Sequence, residues 1–147
     1  VQIPTVDGLA YNLAGSGVLV CPLMDARRNQ VYTGLYRFEG YQMHTVIEQC
    51  AVGIDEIVGK INVCGQPVTF LGDGAAVFAS YIEEHCSVTY TFAPAHLNKQ
   101  RASAVAVLAM EYYRTGRIQT ADEHRPDYLR LSQAERERLE AHQNAKS

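Results

Sequence analysis

VLVCPLMDARRNQVYTGLYRF, residues 18–38, decides how this chain folds. Residues 18–24 are an almost unbroken apolar run, as a strand covered on both faces requires. Asp25, Ala26, Arg27, Arg28 and Asn29 then interrupt it with polar and small side chains. Residues 30–38 resume with Val31, Tyr32, Thr33 and Tyr36, the β-branched and aromatic types that suit a pleated surface. Two such runs around a short polar break predict a β-hairpin. Pro22 has no N–H to give and is expected to limit ladder pairing near the end of the first strand.

The pattern extends in both directions. Glu39-Gly40 predicts a second turn and residues 41–47 a third strand, so the first 50 residues read as an antiparallel meander. Upstream, Val6, Leu9, Ala10 and Leu13 recur at helical spacing and predict a short helix over residues 6–14, stopped by Gly15-Ser16-Gly17. Downstream the period changes. Ile54, Ile57, Val58 and Ile61 predict a helix over residues 53–61. Residues 68–71 read as a strand ending in Gly72-Asp73-Gly74, residues 75–84 as a helix, and residues 88–92 as another strand. Residues 101–113 carry the strongest helical pattern, with Val105, Leu108, Ala109 and Tyr112 as its buried face and Thr115-Gly116 as its stop. Ser132-Gln133-Ala134-Glu135 has the form of a capping box and predicts a terminal helix to about His142. Strands first and alternating helices and strands later describe an α/β domain, a mixed sheet with helices packed on it.

Composition narrows the function classes. A chain of 147 residues fits one domain and needs no disulfide framework to build a core. No apolar run approaches the roughly 20 residues of a membrane helix, and residues 1–12 lack the basic-then-apolar pattern of a secretory leader. The net charge of −3 argues against a nucleic-acid binder with a basic face. The arginines between Arg125 and Arg138 alternate with Asp127, Glu135 and Glu137, the pattern of a solvated, ion-paired surface. Cys21, Cys50, Cys64 and Cys86 form no CxxC pair, which speaks against structural zinc and for reduced thiols in a cytoplasmic protein. Cys21 and Cys64 read as small hydrophobes in apolar surroundings. Val1 leads directly into Ile3-Pro4-Thr5-Val6, which reads as the middle of a protein rather than its start.

The search for chemistry is nearly empty. His44, His85, His96, His124 and His142 form no metal-binding pair at HxxxH spacing, and neither GxSxG, a Walker loop nor GxGxxG occurs. Two stretches stand out. Gly72-Asp73-Gly74 lies between a strand and a helix, where backbone amides can face an anion and where an ordinary tight turn needs the same residues. Asp25 to Asn29 sits at a hairpin tip, where Arg27 and Arg28 can hold a phosphate or an acidic partner, or simply keep the tip soluble.

Three stretches in order resemble the TsaB/YeaZ family, a bacterial subunit of the machinery that places threonylcarbamoyl on adenosine 37 of certain tRNAs. They are residues 22–32 (PLMDARRNQVY), residues 70–75 (FLGDGA), and residues 126–130 (PDYLR) with Gln133-Ala134-Glu135. Residues 3–10 (IPTVDGLA) resemble the family's inter-lobe junction. The resemblance implies an actin-like, RNase H-like lobe, and specifically the second of two lobes, with the first absent from residues 1–147. It implies a non-catalytic subunit that works with a TsaD-type catalytic subunit and a TsaE-type ATPase, a possible homodimer, no catalytic residue, no metal, and no sequence-specific nucleic-acid binding. Asp25, Arg27, Arg28, Gly72, Asp73 and Gly74 become candidates for lining the inter-lobe cleft, where actin-like relatives hold ATP or ADP. Two further readings stand beside this one: a nucleotide-binding module, and a glycoprotease-like hydrolase or peptidase using Asp25, Asp73 or a histidine, with two carboxylates able to act as acid and base.

Overall fold

A computed structural model of the chain describes residues 1–125. The motif at residues 126–130, the capping box at residues 132–135 and the expected terminal helix lie outside the described residues. Five strands form one sheet: β1 (Leu19–Asp25), β2 (Gln30–Glu39), β3 (Gln42–Gly53), β4 (Val68–Leu71) and β5 (Tyr90–Phe92), in the order β3-β2-β1-β4-β5. β1, β2 and β3 are antiparallel, while β1, β4 and β5 run parallel. Helices are α1 (Thr5–Ala10), α2 (Ile54–Cys64), α3 (Asp73–Val77), α4 (Ala79–His85) and α5 (Ala102–Arg114).

The apolar run of β1 has the predicted cause. Leu19, Cys21 and Leu23 point to one face, where Ile54, Ile57, Val58 and Ile61 of α2 and Ile82 of α4 meet them. Val20 points to the other, among Val6, Leu9 and Ala10 of α1 and Leu108 and Tyr112 of α5. Each fully buried aliphatic side chain contributes roughly 1.5–3 kcal/mol relative to exposure, so the helices on both faces are held mainly by these contacts. Tyr36 crosses into the second core and donates its hydroxyl to the buried Asp7 carboxylate at 2.6 Å; Tyr112 donates to the other oxygen at 2.7 Å. Burial, and then the Asp7 carboxylate, raise both phenols above their ordinary range, so both stay protonated and donate.

Several sequence expectations need correction. The helix expected over residues 75–84 is two helices, α3 and α4, parted at Phe78 (φ −104°, ψ 13°), and α3 starts at Asp73. Here tertiary packing overrides a continuous helical pattern: Ala75, Phe78 and Ile82 all bury in the core with α2. β3 runs on to Gly53, well past residue 47, because Thr33, Tyr32 and Val31 keep pairing with Cys50, Ala51 and Val52 after a register shift. β5 is only three residues long. Of the α5 face, Leu108 and Tyr112 are buried while Val105 and Ala109 are only half-buried. Cys64 is exposed, not apolar-packed, at the end of α2. Pro22 does interrupt ladder pairing as expected, although it sits inside β1, an internal strand. Its missing donor leaves a gap in the β1–β2 ladder, and the buried Thr33 hydroxyl donates across that gap to the Pro22 carbonyl at 2.7 Å. Among the described residues no helix is long and apolar enough to cross a membrane.

Candidate functional site

Parallel strands β1 and β4 end side by side, and the two stretches singled out in the sequence leave from those ends. A side chain of one bonds the backbone of the other. The Asp25 N–H donates to Asp73 Oδ1 at 3.2 Å, and the same oxygen accepts the Gly74 N–H at 2.9 Å. All six candidate residues therefore belong to one corner of the molecule, the end of an open α/β sheet where ligands are commonly held.

The glycines explain how the corner closes. Gly72 adopts φ +103°, and a Cβ there would run into the Leu23 carbonyl oxygen. A Cβ on Gly74 would lie 2.9 Å from that same oxygen and 3.2 Å from the Asp25 nitrogen. Only residues without a side chain let the β4–α3 turn approach the end of β1 this closely. The Gly72 N–H is taken by Asn98 Oδ1 at 3.1 Å. The Gly72 and Gly74 amides, which an anion at this turn would call on, are thus already bonded within the protein, and α3 is a helix of only five residues.

At the hairpin tip Arg27, Arg28 and Asn29 take φ of 64°, 55° and 58° in succession. Side-chain-bearing residues pay roughly 1–2 kcal/mol each for the left-handed region, with Asn the most tolerant. Four bonds impose the shape. Arg27 N–H donates to Asp25 Oδ1 (2.8 Å), Ala26 N–H to Gln30 O (2.9 Å), Gln30 N–H to Arg27 O (3.0 Å) and Ile54 N–H to Asn29 O (3.1 Å). The Arg27 guanidinium returns to Asp25 Oδ2 at 3.4 Å. With Arg27 87% exposed, that pair contributes little stability. Arg28 is exposed and, among the described residues, has no ion-pair partner.

Both candidate carboxylates are therefore occupied in shaping backbone. Asp25 caps the hairpin tip and Asp73 ties the turn to β1. Among the described residues no group of three or more His, Cys, Asp or Glu side chains converges on one point. Beside the corner lies a hollow of about 220 Å³ that Leu9, Met24, Asp73, Asn98 and Lys99 help to line. Asn98 and Lys99 belong to no motif that would have marked them in advance. They follow a 3₁₀ turn (Ala95–Leu97) whose return to the β4 end only the tertiary fold decides.

The sequence model of the family described as "TsaD: tRNA N6-adenosine threonylcarbamoyltransferase" matches residues 1–138. The tRNA threonylcarbamoyladenosine biosynthesis protein TsaB of Bacillus subtilis (strain 168) is 30% identical over 141 residues, covering 95% of this chain and 59% of that protein. YeaZ from Pseudomonas aeruginosa superposes with a TM-score of 0.63 at 18% identity, covering 86% of this chain and 58% of that one. A crystal structure titled as an uncharacterized protein with similarity to peptidase YEAZ, from the same organism, gives a TM-score of 0.62 at 18% identity, over 87% of this chain and 57% of the other. The chain spans less than two thirds of the length of these relatives. The structural likeness shows the fold, an actin-like, RNase H-like mixed α/β sheet with helices packed on it. The family match shows that this chain belongs to the family described as TsaD: tRNA N6-adenosine threonylcarbamoyltransferase, within which it is similar to the TsaB and YeaZ proteins.

Proposed function

We propose that this chain is the second lobe of a non-catalytic TsaB-type subunit that supports a TsaD-type enzyme in making threonylcarbamoyladenosine on tRNA. The observation that carries the non-catalytic part is the employment of Asp25 and Asp73. A general acid or base needs a carboxylate oriented toward a substrate proton. Here Asp25 holds the Arg27 amide and Asp73 holds the Asp25 and Gly74 amides, so both serve the backbone of the corner. That employment also weighs against a hydrolase reading built on the same pair. A TsaE-type ATPase and a homodimer belong to the same proposal, through the whole subunit rather than through this lobe.

The test is genetic. The chain, joined to the part of the Bacillus subtilis relative that the match does not cover, is expressed in a bacterial strain depleted of its own TsaB. Restored threonylcarbamoyladenosine in digested tRNA, read by mass spectrometry, is the expected result. Good expression without any restored nucleoside overturns the reading.

A nucleotide-binding role is the second reading, favoured by one observation: the two candidate stretches meet at the ends of parallel strands beside a small hollow. Isothermal titration with ATP and ADP separates the two readings. Heat that disappears in an Asp73→Ala variant supports the nucleotide role, and its absence at millimolar ligand removes it.

A further inference from the structure

A second hollow lies well away in the sequence from the corner just described. It measures about 490 Å³ and opens between the start of the chain, β3 and the segment after α5. Gln2, Gln49, Arg117, Gln119 and Arg125 supply its polar lining, and Pro4 and Ile118 its apolar part. The chain as a whole carries a net charge of −3, yet among the described residues this hollow is lined by two arginines and no acidic residue. Each guanidinium offers five N–H donors in a planar fork that suits phosphate oxygens, and each carboxamide adds donors and an acceptor.

Arg117 is also held in advance. Its guanidinium carbon lies 3.7 Å from the centre of the Tyr112 ring, and its backbone N–H donates to the Tyr112 carbonyl at 2.8 Å. The Tyr112 hydroxyl is in turn fixed by Asp7, which Tyr36 fixes from the sheet. An arginine stacked on a ring that is itself anchored in the core loses little freedom on meeting a ligand. Gln2 reaches across to the Arg125 carbonyl (3.4 Å) and joins the two ends of the lining.

We propose that this hollow binds the phosphodiester backbone of an RNA strand, without reading its sequence. Small-molecule sites are mostly apolar and enclosed. This one is polar and open to solvent, as nucleic-acid interfaces are. The choice of RNA over another phosphate-bearing molecule rests on the tRNA reading above. The positive sign, the donor set and the fixed Arg117 are independent of it.

Fluorescence anisotropy of a fluorescein-labelled RNA stem–loop, titrated with the whole chain at several salt concentrations, tests the idea. Arg117→Gln combined with Arg125→Gln should weaken binding about tenfold or more and flatten the salt dependence by about one to two phosphate contacts. Arg37→Gln, on the exposed face of β2, should leave both unchanged. Should the double variant fail to fold by circular dichroism, Arg125→Gln alone keeps the test: its side chain is exposed, and Gln2 bonds only its backbone. Equal affinity and equal salt slope in the variants overturn the proposal. So does displacement of the RNA by inorganic phosphate or AMP at the RNA's own Kd, which would mark a small-phosphate site. Restored nucleoside in the depleted strain together with unaltered RNA binding by the variants sinks this inference and leaves the proposed function standing.

Discussion

At the scale of single residues, two positions show how the corner is built, and each makes a prediction. Gly72 combines a left-handed backbone (φ +103°) with a Leu23 carbonyl where its Cβ would be. Gly72→Ala meets both penalties, so it should cost about 3 kcal/mol or more, beyond the strain of about 1–2 kcal/mol that positive φ alone brings. Urea unfolding measures this, and a loss under about 1 kcal/mol would show that the turn can back away from β1. Cys21 gives a pH dependence. Its thiol is fully buried, and burial pushes it up to about 12 despite the neighbouring Thr33 hydroxyl at 3.4 Å. In the unfolded chain the same thiol titrates near its ordinary value of 9.0. Below that value both states keep the proton and the full stability is present. Above it the unfolded chain releases a proton that the folded chain retains until about 12, so stability falls as pH rises through this window. One such group contributes a slope of about 1.4 kcal/mol per pH unit. Comparing urea midpoints at about pH 8 and pH 10 should therefore show a smaller alkaline loss in Cys21→Ala than in the parent. Equal losses would mean that the thiol ionises without unfolding.

At the scale of elements, legibility in the sequence follows how local the cause is. The hairpin of β1 and β2, the meander and α5 were legible because period and turn chemistry lie within a few residues of each other. Gly65 closing α2 in the left-handed region at φ +65° is equally local. The break between α3 and α4 was not legible, because Phe78 leaves the helical path in order to pack under α2, a segment whose position the local sequence does not fix. The ladder gap at Pro22 was legible, but its compensation was not: the Thr33 hydroxyl comes from a different strand. The candidate site divides in the same way. Residues Asp25 to Asn29 and Gly72 to Gly74 announced themselves as two turns, and the resemblance placed them in one cleft. Their direct bond through Asp73 Oδ1, and the arrival of Asn98 at the Gly72 amide, come from parallel pairing of β1 with β4 and from the route of the chain after β5. The consecutive left-handed residues at the tip carry no glycine, so composition gave no warning of them.

At the scale of the whole molecule, the sheet separates two cores of different character. The core under α2, α3 and α4 is mainly aliphatic and aromatic, with the Cys21 thiol and the Thr33 hydroxyl beside it and no buried charge among the described residues. The core under α1 and α5 contains a carboxylate, Asp7, whose two oxygens take the hydroxyls of Tyr36 and Tyr112. Those bonds tie three elements distant in sequence, α1, β2 and α5, to one side chain. Removing it leaves two buried phenols without acceptors, at about 1–3 kcal/mol each, offset in part because a buried charge is no longer desolvated. Asp7→Ala should therefore lower global stability by about 2 kcal/mol. The loss should also be uneven. α1 and α5 pack on the sheet through this core, whereas α2 and α4 share no side chain with it. Amide hydrogen exchange of the variant should speed up across α1, α5 and the Tyr36 end of β2 while α2 and α4 keep the protection set by global unfolding. Uniform acceleration over both faces would show instead that the two cores open as one unit, and that Asp7 contributes to the whole sheet rather than to the face it occupies.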